Sequence, residues 1–173
     1  NKREGKASEN AILTSRVRDR PMRPLFPKDY RNDVTLNNLV MSVDPDCSPE
    51  LTAMLGSAIA TAISDIPFDG PCATTQIGMV GGFFVVNPNE EQMAVSDLKL
   101  TVASTRDKVI MIEAGANEIP DEKMIEAIYK ADSVNKEIIA FIDKIVAEVG
   151  KEKHAYTAFV IPEELTSAIK EIV

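Results

Sequence analysis

Between Ala73 and Glu113 the sequence runs through four short apolar segments, Ala73–Val80, Phe83–Val86, Leu98–Ala103 and Val109–Glu113, separated by turn-forming residues. Directly after them, residues 121–149 carry a single long stripe at helical spacing, including Met124, Ile128, Ile138, Phe141, Ile142 and Val149. Period-2 segments bounded by Gly, Pro and Asn read as strands, and a 3.6-residue stripe reads as an amphipathic helix. A sheet with one apolar face and a helix with one apolar stripe bury both by packing together. The class expected is therefore α/β (α+β), a mixed sheet packed by helices. Gly81-Gly82 between two apolar runs marks a tight hairpin, so the stretch Gly78–Gly82 is read as hairpin and not as a phosphate loop.

Upstream, Ser8-Glu9 resembles a helix N-cap with an acid in the first turn, and Pro21 closes a helix expected over about 9–19. Val34–Val43 alternates and is β-branched enough to be expected as a strand, with Asp44-Pro45-Asp46 as its turn. Ser48-Pro49-Glu50 opens a second helix whose apolar positions Leu51, Met54, Leu55, Ala58 and Ala62 fall at three- and four-residue steps. Asn89-Glu90-Glu91 reads as a solvated turn. Past Gly150, residues 151–161 form a polar linker, and Pro162-Glu-Glu-Leu165 begins a further helix. The division expected is 1–150, then the linker, then the start of a helical segment over 162–173.

Charge is distributed unevenly. The chain of 173 residues carries −8 overall, yet residues 1–31 hold nine basic against four acidic side chains, a net +5, leaving −13 for the rest. The densest part is Arg16-Val-Arg-Asp-Arg20-Pro-Met-Arg23. Arg16 and Arg20 stand one helical turn apart and share a face, with Arg23 just beyond. Guanidinium forks match phosphate oxygens bidentately, so this end suits an anion. Pairing with neighbouring acids such as Asp19 is the alternative use of the same arginines.

Self-contained catalytic chemistry is thin. His154 is the single histidine, which excludes a multi-histidine metal site and a histidine triad within the chain. Asp44, Asp46 and Cys47 crowd a proline turn and read as turn residues. Two cysteines and no long apolar run fit a reduced, cytoplasmic compartment with no membrane contact. The chain opens on Asn1 without an initiator Met and reads as a piece of a longer one.

Several segments together carry a resemblance. Lys2-Arg-Glu-Gly-Lys-Ala-Ser-Glu9, Arg16-x-x-Asp19-Arg-Pro-x-Arg-Pro-Leu-Phe-Pro27, Met41-Ser-Val-Asp44, Ser64-Asp-Ile-Pro-Phe-x-Gly-Pro71 and Glu113-Ala-Gly-Ala116 closely resemble the bacterial polynucleotide phosphorylase family. The match falls in its first ribonuclease-PH-like domain and runs into the all-helical segment after it. That resemblance implies a phosphorolytic 3′-to-5′ exoribonuclease, in which phosphate is co-substrate, Mg²⁺ or Mn²⁺ assists, and nucleoside diphosphates are released. It also implies a homotrimeric ring with single-stranded RNA threaded through its channel, and it places the active site in the second such domain.

In this chain Cys47-Ser-Pro-Glu50 aligns with the family's Ser-rich phosphate loop, Lys99-Leu-Thr101 with its Asp-x-Lys, and Met93 with its further Asp. Those departures remove the oxygen ligands that a divalent ion needs, so the expectation is no catalytic residue and no metal here. The residues expected to meet RNA are Lys2, Arg3, Lys6, Arg16, Arg20 and Arg23. Two functions follow: part of a phosphorolytic exoribonuclease serving RNA guidance and trimer assembly, or a stand-alone non-catalytic RNA-binding and assembly module.

Overall fold

The computed structural model describes residues 5, 7–158 and 161–172. Helix α1 spans Glu9–Met22 and passes into a 3-10 turn at Arg23–Leu25. Helix α2 spans Pro49–Ile63, strand β1 Ala73–Val80, and strand β2 Phe83–Val86. Short helix α3 covers Glu90–Ala94, followed by β3 over Leu98–Ser104 and β4 over Val109–Ala116. Helix α4 runs from Asp121 to Val149 and α5 from Glu163 to Ile172.

The class is α/β as expected, but the sheet differs in one respect. Its order is β2-β1-β3-β4 and every pairing is antiparallel, so among the described residues it is not mixed. The Gly81-Gly82 hairpin forms as read: Val80 pairs with Phe83, and the two glycines take φ +57° and +83°. Consecutive positive φ values are what a two-residue hairpin loop requires, and glycine adopts them without steric cost.

Helix α4 lies across the sheet and also contacts α2. Ala127 and Ala131 close on Ile77, Leu98, Leu100 and Val102, while Ile142 joins Met22, Leu25, Ala58, Ala62 and Cys72. The small residues on α2 and α4 bring backbones close, and the branched side chains of β1 and β3 fill the space between. Within this apolar layer Asn135 is fully buried together with Thr75 and Ser104. Its Oδ1 accepts from the Thr75 hydroxyl at 2.8 Å, and its Nδ2 donates to the Val102 carbonyl at 3.0 Å and to Ser104 Oγ at 3.2 Å. Buried polar groups persist only when paired, and this carboxamide ties α4 to both central strands.

Three local expectations need correction. Helix α1 does not stop before Pro21; Pro21 and Met22 are buried in its last turn. The proline lacks an N–H, and the backbone N–H of Arg23 reaches the Asp19 carbonyl as the chain tightens into the 3-10 turn. Asn89 is not in a plain turn but caps α3, with reciprocal bonds between its side chain and Gln92. Val34–Val43 is not a strand, because no strand among the described residues pairs with it. Leu36 packs half-buried on the core, while Leu39, Val40, Met41 and Val43 stay in solvent, Leu39 81% and Met41 84% exposed.

The segment after α4 is pinned at its start. Lys151 and His154 donate backbone N–H bonds to the carbonyls of Ile63 and Asp65, at 2.9 and 2.7 Å. The Lys153 ammonium donates to the carbonyls of Thr61, Ala62 and Ser64, at 3.2, 2.9 and 2.6 Å, closing the C-terminal end of α2 where no glycine cap exists. Burial draws this ammonium below its usual range, against the opposing pull of Asp65. Tyr30 packs edge-on to Tyr156, and its hydroxyl lies 3.1 Å from His154 Nε2. No described helix is long and apolar enough to cross a membrane.

Candidate nucleic-acid interface

Helix α1 carries the basic side chains of the described residues that the sequence singled out. Ser8 Oγ accepts from the Ala11 N–H at 3.2 Å, and Glu9 sits in the first turn, so both cap and dipole favour a helix start here. Arg16 is exposed and has no acidic partner among the described residues. Arg20 approaches Glu113 on β4 at 3.5 Å, with side chains 57% and 51% exposed. Arg23 forks onto Asp19, with N···O distances of 3.0, 2.8 and 2.7 Å. Exposed ion pairs of this kind hold by about 1 kcal/mol or less, so a phosphate can draw either arginine away. Arg16 is the one of the three already free to meet it. Lys2, Arg3 and Lys6 lie outside the described residues.

Arg18 is a residue the charge run did not separate from its neighbours. Two residues from Arg16 is about 200° around a helix, so it leaves α1 on the opposite side. There it lines a cleft of about 1040 Å³ between α1, residues 36–48, the first turns of α2, α3 and the strands β1 and β3. One guanidinium nitrogen of Arg18 donates to Asn38 Oδ1, which also accepts from the Ser57 hydroxyl at 3.1 Å, while its Nε is buried without a partner. Lys99 lines the same cleft from β3. The helical angle of Arg18 was legible in the sequence; what it would face was not.

The acids near the floor of the cleft are engaged in local turns. Asp44 takes up its own turn, accepting the Asp46 N–H at 3.0 Å on Oδ1 and the Cys47 N–H at 3.0 Å on its carbonyl. Asp46 Oδ1 accepts from Asn89 Nδ2 at 3.3 Å. The lining holds the carboxylates of Asp44, Glu50 and Glu90 beside the cation Lys99 and the thioether Met93, and among the described residues no group of three His, Cys, Asp or Glu stands together for a metal ion. Hard divalent ions bind through several oxygens, and an ammonium repels them.

The two cysteines are chemically distinct. Cys47 is exposed in the cleft wall, while Cys72 is buried in the core, where burial pushes its thiol up to about 11. Thiolate is the reactive form, so burial leaves Cys72 both harder to ionise and shielded from reagent. Titration with Ellman's reagent should therefore show one fast thiol in the native protein and a second only on unfolding. Two fast thiols would mean that the core around Cys72 is open.

Comparison with known proteins adds the following. Residues 70–133 match the 3′ exoribonuclease family, domain 2. The chain is 80% identical over 173 residues to the polyribonucleotide nucleotidyltransferase of Lachnoclostridium phytofermentans, covering 100% of this chain and 25% of that protein. It is 54% identical over 170 residues to the protein of the same name in Clostridioides difficile, covering 98% of this chain and 24% of that one. The chain thus spans about a quarter of the length of the curated relatives it matches. Among solved structures, rice Rrp46 shares the fold with a TM-score of 0.65 at 11% identity, over 83% of this chain and 69% of that one.

Proposed function

Because the chain matches bacterial polyribonucleotide nucleotidyltransferases along its whole length, we propose that it serves as a non-catalytic, RNA-guiding and ring-assembling part of a phosphorolytic 3′-to-5′ exoribonuclease. In that reaction an oxygen of inorganic phosphate bonds to the phosphorus of the 3′-terminal linkage as the bond to the preceding ribose breaks. A nucleoside diphosphate leaves, and the shortened RNA keeps a 3′ hydroxyl. On this reading the chemistry, with Mg²⁺ or Mn²⁺, lies in the remaining three quarters of proteins like the relatives it matches. Homotrimer assembly and a cytoplasmic setting complete the reading.

The observation that supports it best is the exposed arginine face of α1, with Arg16 unpaired and Arg20 and Arg23 held only by weak surface pairs. Single-stranded RNA presents a moving row of phosphates, and such a face tracks the backbone without reading sequence. The test is incubation with end-labelled single-stranded RNA, phosphate and Mn²⁺. The expected result is bound RNA of unchanged length. A ladder of shortened products with nucleoside diphosphate release would overturn the non-catalytic reading.

A further inference from the structure

We draw no further inference here: the strongest candidate, the solvent-exposed apolar segment 39–43 with the groove it forms against the first turns of α2, is an unpartnered face, and nothing in the structure shows what covers it.

Discussion

Asn135→Leu is expected to lower stability by about 2–4 kcal/mol and the melting temperature by roughly 4–16 °C, although leucine is apolar and similar in size. The reason lies in what the substitution leaves behind. Asn135 is fully buried and supplies one acceptor to Thr75 and two donors, to Val102 and Ser104, from the middle of α4. A leucine there strands the Thr75 hydroxyl in an apolar layer, and the cost is that of an unpaired buried group rather than of a lost contact. Thr75→Val in the same chain removes the stranded hydroxyl, so the double variant should be more stable than the sum of the single losses predicts. Thermal unfolding followed by circular dichroism gives all four corners of the cycle. Strict additivity would show that the Thr75–Asn135 bond contributes nothing of its own.

The second large effect concerns the basic end. A chain with Lys2, Arg3 and Arg16 all changed to Ala should bind single-stranded RNA much more weakly at low salt. It should also lose about 2 from the slope of log affinity against log salt, since each lost phosphate contact removes about 0.7. Arg23→Ala should do less, because Arg23 already shares its guanidinium with Asp19 and its charge is partly compensated there. Fluorescence anisotropy across a salt series measures both quantities. A wild-type affinity indifferent to salt would remove the phosphate contacts from the account, and equal losses in Arg16→Ala and Arg23→Ala would remove the distinction between free and paired arginines.

Much of the fold was legible because local chemistry and global packing agree. Ser48-Pro49-Glu50 announces α2 through cap, fixed φ and acid, and its N-cap bond to Leu51 forms as written. The stripe of α4 could pack only on a sheet face or another helix, and it does both. What could not be read was whatever depends on a partner far along the chain. Val34–Val43 has the composition of a strand, but a strand exists only beside another, and none stands there among the described residues. Pro21 is an end signal in isolation, yet burial of Pro21 and Met22 against the core holds the helix one residue beyond it. Residues 151–156 look like solvated linker because their anchors are backbone carbonyls of residues 61–65 and the distant side chains of Asp29 and Tyr30, none of which a local side-chain pattern shows.

The candidate site divides along the same line. Arg16 and Arg20 sharing a face was a matter of helical angle, while the pairing of Arg20 with Glu113 needed β4 to be placed. Arg18 was hidden in plain view within the run, because a count of charges does not say which of them turns inward. Lys99 was noted for the acid it replaces, and only the fold brings it to the cleft that Arg18 enters.

The most direct measurement is photocrosslinking of a single-stranded RNA carrying 4-thiouridine to the protein at low salt, with the adducts mapped by peptide mass. The account predicts adducts within residues 1–23, on the basic end and the outer face of α1. Adducts confined to β2 and α4, with residues 1–23 untouched, would contradict it.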